Sequence, residues 1–181
     1  MKNIKRESSG AFKSKKMITQ ALISLMEEKD YSKITVAEIT KRADLVRRTF
    51  YSHFKNKEEV LVCYINQIIE EHIQSYLQLD DHSELTIAEI YFKLWAKHLD
   101  FVLLLKNNDL LILLKGFEKY IEELDKAFSA FKCLGLSESA AEYAPKFYAG
   151  ALWSTLDKWI EKGMEESPAE LGKLFSELIG W

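Results

Sequence analysis

Six side chains that can donate hydrogen bonds to phosphates or to bases fall within seven consecutive residues of the sequence. These are Arg47, Arg48, Thr49, Tyr51, Ser52 and His53, and they are followed by Lys55 and Lys57. Two adjacent arginines alone are also typical of a solvent-exposed helix face that binds nothing. The hydroxyl, imidazole and ammonium groups beside them favour a surface that contacts DNA.

Two helices must precede and support that surface. The segment from Lys13 to Lys29 has apolar residues at spacings of three and four, which predicts a first helix with one apolar stripe. Thr35-x-x-Glu38 is a capping box, which predicts that a second helix starts after Thr35. The residues of this second helix that we expect to face inward are Val36, Ile39 and Ala43.

A bend and a third helix complete the unit. The bend is predicted at Ala43 to Leu45, and the helix is predicted from Val46 to Ser52 or His53. At about 100° per residue, Val46, Phe50 and His53 fall on one side, which we expect to pack, while the arginines fall on another. This pattern predicts a helix-turn-helix whose last helix lies in a DNA groove.

The run ITVAEITKRADLVRRTFYSHFKNKEEVL, residues 34–61, resembles the N-terminal DNA-binding domain of the TetR family of bacterial transcriptional regulators. The family's hallmark is T-[FL]-Y-x-[HY]-F followed by a Lys-Glu-Glu-Leu-like start of a fourth helix, and the resemblance covers about residues 13–70. Asp44 replaces the usual turn glycine, and Val46 replaces the usual small polar helix cap. Because aspartate adopts the left-handed conformation more readily than most residues, we expect the turn to form, whereas the missing cap leaves the start of the third helix open.

The resemblance implies a role for each polar residue of the motif. Arg47 and Arg48 match the positions that reach base edges, and an arginine can donate two hydrogen bonds to guanine O6 and N7. The positions that hold phosphates are matched by Thr35, Thr49, Tyr51, Ser52, His53 and Lys57. The resemblance also implies a homodimer on a palindromic, double-stranded operator.

The charge distribution divides the chain near the end of this motif. Residues 1–57 hold 14 lysines and arginines against 6 aspartates and glutamates, a net charge of +8, whereas residues 58–181 hold 11 against 22, a net charge of −11. Charge alone leaves open both a segment that meets a polyanion and an ordinary solvated charge run. With the motif, we expect a helix-turn-helix DNA-binding domain with a basic N-terminal arm at residues 1–57 and a helical ligand-binding and dimerisation domain at residues 58–181.

The remainder of the sequence is predicted to be helical. A long helix from Lys57 to about Leu77 links the two domains, and Thr86-x-x-Glu89 is a second capping box that opens a segment continuing to Leu105. Three further helices are predicted. The first runs from about Asp109 to Lys132, and the second runs from Ser137 to about Lys162 with a kink or interruption near Pro145. The third starts at Ser167, where Ser167-Pro168-Ala169-Glu170 is a third capping box. Gly163 is expected to end the helix before the last one.

Aromatic residues of this C-terminal part suggest an effector pocket. The candidate lining residues are Tyr91, Trp95, Phe101, Phe117, Tyr120 and Phe147. For any one of these residues, an ordinary place in a helical core is an equally good interpretation.

Two helix faces near the C-terminus are expected to pack against a second copy of the chain. In the TetR family the last two long helices form a four-helix interface between subunits, and the pattern here is similar. The candidate interface residues are Gly150, Ala151 and Ser154, a patch of small residues, together with Leu171, Leu174, Phe175 and Leu178. The segment from Trp159 to Leu171 also resembles the C-terminal region of one TetR subgroup.

Composition and motif spacing argue against several other classes of protein. The chain has 181 residues, 48% hydrophobic and 29% charged, which is typical of a globular protein. No apolar run approaches the ~20 residues of a membrane-spanning helix, so we expect a cytoplasmic protein with neither signal peptide nor membrane segment. Cys63 and Cys133 lack CxxC spacing and the histidines lack HxxxH spacing, so we expect no metal site, no cofactor and no enzymatic activity.

The sequence therefore predicts an all-α, DNA-binding transcriptional regulator. An N-terminal three-helix bundle with a helix-turn-helix is linked by a long helix to a C-terminal helical bundle that dimerises. We expect a repressor that leaves DNA when a small-molecule effector or a protein co-regulator binds the C-terminal domain. The alternative hypothesis is a helical protein-protein co-regulator whose DNA binding is weak or lost.

Overall fold

A computed structural model of the chain describes residues 9–76, 84–117, 120–121 and 136–179. These residues form helices and turns and contain no strand, which confirms the all-α fold. The chain divides into two compact units, Met1–Gln67 and Ile68–Trp181. This division falls inside the fourth helix, whereas the domain boundary expected from the sequence lies at the first residue of that helix. In the part of the chain described, no helix is both long enough and apolar enough to cross a membrane.

The N-terminal unit contains a three-helix bundle. Helix α1 is Ser9–Glu28, a 3₁₀ turn follows at Tyr31–Lys33, and helices α2 and α3 are Val36–Arg42 and Arg47–His53. Each of these three helices contacts the other two. The buried side chains of the bundle include Ile18, Leu22, Leu25, Ile34, Ile39, Phe50 and Phe54, which confirms the apolar stripe predicted for α1. Helix α4, Lys57–Tyr76, begins in this unit.

The C-terminal unit is built on helix α5, Glu84–Lys97, and the last helix, α8, Pro168–Ile179, which pack closely against each other. Helix α6 is Leu99–Asn107, a 3₁₀ helix follows at Leu111–Phe117, and helix α7 is Glu138–Glu161. A Cβ atom added at Gly172 of α8 would lie 3.2 Å from the Cβ atom of Glu89 in α5. The missing side chain at Gly172 therefore allows the two helices to approach closely.

Aromatic rings form the centre of this unit. The ring centroids of Phe92 and Trp159 are 6.1 Å apart, those of Phe92 and Phe175 are also 6.1 Å apart, and those of Tyr148 and Phe175 are 5.2 Å apart. All three pairs meet edge to face, the arrangement favoured by the ring quadrupoles. The Trp159 Nε1–H also donates to the Glu166 carbonyl at 3.0 Å, which ties the end of α7 to the loop before α8.

Several predictions for the middle of the chain are wrong. Helix α5 begins at Glu84, so Thr86 lies inside its first turn and cannot take the extended conformation of a helix cap. The helical segment expected to reach Leu105 is broken at His98, where φ is −107° and ψ is 30°. An α-helix does not start at Asp109, because this residue has a φ of 57° and a 3₁₀ helix follows it. Of the predicted helical residues that follow Phe117, residues 120–121 are helical, and the others lie outside the described residues.

The helix ends predicted nearer the C-terminus are confirmed. Helix α7 follows Ser137, whose hydroxyl accepts a hydrogen bond from the Ala140 N–H at 3.3 Å, and Gly163, with a φ of 85°, ends it. The Ser167 N–H and hydroxyl donate to Glu170 Oε2 at 2.8 Å and 2.7 Å, so the predicted capping box is formed. Helix α7 continues through Pro145, so of the two outcomes predicted there, a kink or an interruption, the interruption is absent.

Candidate nucleic-acid interface

The start of α2 is held by the capping box predicted from the sequence. The Glu38 N–H donates to Thr35 Oγ1 at 3.3 Å, and the Thr35 N–H and hydroxyl donate to Glu38 Oε2 at 2.9 Å and 2.8 Å. The Lys29 ammonium binds the other oxygen of this carboxylate, and that bond together with the two from Thr35 lowers the pKa of Glu38 to about 2. Thr35, a predicted phosphate contact, is exposed, and its hydroxyl is already engaged within the protein.

The turn between α2 and α3 depends on Asp44. Its φ of 53° is in the left-handed region, which glycine usually occupies and which aspartate tolerates better than most residues. The Leu45 N–H donates to the Thr40 carbonyl at 2.9 Å and the Ala43 N–H to the Ile39 carbonyl at 2.9 Å, so the carbonyls at the end of α2 are bonded. The expectation that the turn forms with aspartate in place of glycine is confirmed.

Helix α3 starts without a polar cap. Val46 is its N-cap residue, with φ of −85° and ψ of 150°, and its side chain makes no capping hydrogen bond. The sequence predicted that Val46 packs on the inner side with Phe50, and this prediction is wrong, since 68% of Val46 is exposed. The reason is the extended backbone at Val46, which places the residue outside the helical repeat used to assign it to a face.

The rest of α3 divides into a packed face and an exposed face. Phe50 is fully buried, Phe54 just after the helix is almost fully buried, and their ring centroids are 5.9 Å apart. The exposed residues of the helix are Arg47, Arg48, Tyr51 and Ser52, whereas Thr49 and His53 are half-buried. The structure therefore brings four of the predicted DNA-contacting residues together on one outward-facing surface of the helix.

Lys57, another predicted phosphate contact, lies at the first turn of α4 and is directed toward the protein. Its ammonium donates hydrogen bonds to the carbonyls of Tyr31 and, at 2.9 Å, of Ile34, and at 3.4 Å it also reaches the carbonyl of Ser32. Partial burial lowers the pKa of Lys57. These three carbonyls belong to the connection between α1 and α2, so Lys57 holds that connection against the start of α4.

The residues predicted to line an effector pocket do not share one environment. Tyr91, Trp95 and Phe101 are buried, and the rings of Tyr91 and Trp95 meet edge to face with centroids 6.3 Å apart. Tyr120 is half-buried, and the side chain of Phe117 lies outside what the structure describes. Phe147 is 62% exposed on α7 and does not join the buried group.

The residues predicted to form a dimer interface also divide into two sets. Leu171 and Phe175 are buried inside the C-terminal unit. The outward-facing set consists of the exposed residues Ser154, Leu174 and Leu178, with Gly150 and Ala151 half-buried. The sequence interpretation missed Tyr143, which is exposed and precedes Phe147, Gly150 and Ser154 at spacings of four, three and four along the same face of α7.

The all-α fold and the outward-facing surface of α3 together define a helix-turn-helix regulatory protein. A sequence model described as "Bacterial regulatory proteins, tetR family" matches residues 18–62, and one described as "Transcriptional regulator C-terminal region" matches residues 85–180. The chain belongs to the TetR family of transcriptional regulators.

Curated relatives match limited segments of the chain. An uncharacterized HTH-type transcriptional regulator, YxbF, of Bacillus subtilis (strain 168) is 31% identical over 78 residues, which are 42% of this chain and 20% of the relative. The HTH-type dhaKLM operon transcriptional activator DhaS of Lactococcus lactis subsp. lactis (strain IL1403) is 40% identical over 48 residues, 26% of each protein. The chain thus spans about a fifth and a quarter of the lengths of these two relatives.

Two solved structures share the fold over nearly the whole chain. The fatty acid degradation regulator FadR from Bacillus halodurans superposes with a TM-score of 0.63 at 20% identity, covering 91% of this chain and 93% of that one. The dihydroxyacetone kinase operon activator DhaS superposes with a TM-score of 0.59 at 23% identity, with the same coverage. At these identities the likeness extends to the fold alone.

Proposed function

We propose that this protein binds double-stranded operator DNA through α2, the Asp44 turn and α3, and thereby regulates transcription. The observation that carries the proposal is the outward face of α3. Among the described residues no ion pair engages Arg47 or Arg48, whereas three other cations of the same unit, Lys29, Lys33 and Arg42, are paired with carboxylates. Two exposed guanidinium groups on a helix whose other face is anchored by buried phenylalanines suit guanine recognition in the major groove.

The remaining polar residues have the proposed role of fixing the helix on the DNA backbone. Tyr51 and Ser52 are exposed beside the arginines, and Thr49 and His53 flank them at the edge of the buried face. Hydroxyl and imidazole groups at such positions hold phosphates and set the register of the helix without reading the sequence. Thr35, Ser52 and Lys57 are weaker candidates, because each already donates a hydrogen bond to a group within the protein.

The protein acts in this proposal as a homodimer on a palindromic operator. Tyr143, Phe147, Leu174 and Leu178 are exposed on the last two helices, and Gly150 and Ser154 follow Phe147 along the same face of α7. Exposed apolar side chains on two successive helices favour burial against the same surface of a second copy. Two-fold symmetry then requires operator half-sites related by a dyad.

An effector or a protein co-regulator bound to the C-terminal unit controls DNA binding in this proposal, and release from DNA relieves repression. The proposed effector site is lined by Tyr91, Trp95 and Phe101, which are buried, together with Tyr120, which is half-buried. The sequence predicts that DNA binding represses transcription rather than activating it. The relative DhaS is named an activator, so the direction has to be measured with a reporter gene placed behind the operator.

The test of DNA binding starts from a pool of random duplexes, from which the full-length protein selects its preferred sequence. Gel shifts then compare the wild type with the double variant Arg47→Ala, Arg48→Ala. The charge-matched control is Lys93→Ala, Lys158→Ala, which removes two exposed cations outside the helix-turn-helix. We expect selection of one palindromic sequence, loss of the shifted band in the arginine variant, and retention in the control.

The alternative, a helical protein-protein co-regulator with weak or lost DNA binding, predicts a different result. The wild type would then select no sequence, and its residual affinity would show no steep dependence on salt, since few phosphate counterions are released. That outcome would rule out the proposed function.

A further inference from the structure

We propose that Val46 contacts the 5-methyl group of a thymine in the operator and is a specificity-determining residue beside the two arginines. The inference rests on the proposed function, because it places α3 in the major groove. It adds recognition of an A·T base pair to the guanine recognition assigned to Arg47 and Arg48.

The position of Val46 follows from its backbone. The extended conformation, with φ of −85° and ψ of 150°, precedes the first helical residue and leaves 68% of the valine exposed, next to the exposed Arg47 and Arg48. In helix-turn-helix proteins the residues at the N-terminal end of the second helix are those that meet base edges. Val46 is therefore placed among the residues that reach the bases, and its isopropyl group makes the contact.

A valine is poorly suited to this position if the isolated protein is considered alone. Helix caps favour serine, threonine, aspartate or asparagine, whose oxygen accepts a hydrogen bond from the first turn, and Val46 makes no such bond. The side chain also stays in water, while Phe50 and Phe54 fill the adjacent core. Since Val46 neither caps the helix nor fills the core, its apolar side chain is available to contact an apolar surface supplied by a partner.

The major groove offers one such surface on its base edges, the C5-methyl group of thymine. Cytosine carries an amino donor there and no methyl group, and an isopropyl group placed against that donor would remove its water without replacing the hydrogen bond. Val46 therefore favours thymine and disfavours cytosine at the same position of the half-site.

The test uses the duplex selected by the full-length protein from the random pool. Each thymine of this duplex is replaced in turn by deoxyuridine, which keeps every hydrogen bond and removes only the methyl group. Affinities are measured by fluorescence anisotropy for the wild type, Val46→Ala and Val46→Ser. The matched control is Val62→Ala, because Val62 is also an exposed valine of the N-terminal unit, at 38%, but lies on α4.

We expect the wild type to lose about three- to fivefold in affinity at one thymine per half-site, the factor for removing one buried methyl group. Val46→Ala and Val46→Ser should bind the thymine and uracil duplexes equally, and Val62→Ala should behave as the wild type. Val46→Ser should also raise the melting temperature, because it supplies a cap. If Val46 had only a structural role, replacing thymine by uracil would reduce the affinity of both variants by the same factor as that of the wild type.

Two results would overturn the inference while leaving the proposed function intact. One is a wild type that binds its selected duplex but is indifferent to uracil at every position. The other is a uracil effect of the same size in the Val46 variants as in the wild type. Failure of the wild type to select any sequence is a separate result, and it would overturn the proposed function itself.

Discussion

The ammonium of Lys57 lies 4.1 Å from the centroid of the Tyr31 ring and donates a hydrogen bond to the carbonyl of the same residue. It thus joins the first turn of α4 to the 3₁₀ turn between α1 and α2 through both a cation–π contact and hydrogen bonds. This relationship gives Lys57 a role within the protein in addition to, or in place of, the phosphate contact implied by the family pattern.

Lys57→Met should separate these two roles, because methionine keeps the apolar stem and removes the charge. We expect a loss of about 1–2 kcal/mol in the free energy of unfolding, allowing for partial exposure of the ammonium. The slope of log affinity against log salt should stay within experimental error of the wild type. A decrease in that slope of about 0.9 would instead identify a lost phosphate contact. Lys55→Met, at an exposed neighbouring lysine, controls for the change in charge.

Acid should weaken the N-terminal unit through Glu38. Its pKa is lowered from 4.5 to about 2, mainly by the hydrogen bond from Lys29 and then by those from Thr35. Because the folded pKa is lower than the unfolded one, this stabilisation is present above pH 4.5 and is lost as the pH falls toward 2. We expect Glu38→Gln to melt at a lower temperature than the wild type at pH 7, and the difference should shrink by pH 2. An equal difference at both pH values would contradict this assignment.

Asp44→Gly should stabilise the turn. Asp44 has a φ of 53°, which costs a residue with a side chain more than glycine. We expect a gain of about 0.5–1 kcal/mol in the free energy of unfolding, measured by urea denaturation, after the greater entropy of glycine in the unfolded chain is subtracted. Asp44→Asn removes the charge but tolerates the same conformation, so it should leave stability almost unchanged. A gain of the same size in Asp44→Asn would attribute the effect to charge.

Leu178→Glu should produce a monomer that keeps its fold. Leu178 is 78% exposed on α8, so the glutamate remains in water in the protomer but would be buried in the proposed interface. We expect light scattering after size exclusion to give half the mass of the wild type, with weaker operator binding and an unchanged helical circular dichroism signal. Ile112→Glu, at an exposed residue before α7, is the matched control and should stay dimeric. A dimer that survives Leu178→Glu would place the interface elsewhere.

The C-terminal part was less predictable than the helix-turn-helix, and the reason is the range of the interactions involved. The leucines and phenylalanine of α8 form one apolar stripe in the sequence, but only packing against α5 determines that Leu171 and Phe175 are buried while Leu174 and Leu178 are exposed. The sequence predicts Phe147 as a pocket residue, yet Phe147 lies on the outward face of α7. Such assignments depend on partners distant in the chain, which helical spacing does not specify.

For the helix-turn-helix, the sequence alone determined the capping box of Thr35 and Glu38, the left-handed turn at Asp44 and the burial of Phe50, because these depend on residues within a few positions of one another. Only the tertiary structure decided that the Lys57 ammonium binds the carbonyls of the α1–α2 connection and that Val46 is exposed beside Arg47. The first depends on a contact between residues 26 positions apart, and the second on backbone angles at a helix end, where the helical repeat no longer gives the direction of a side chain.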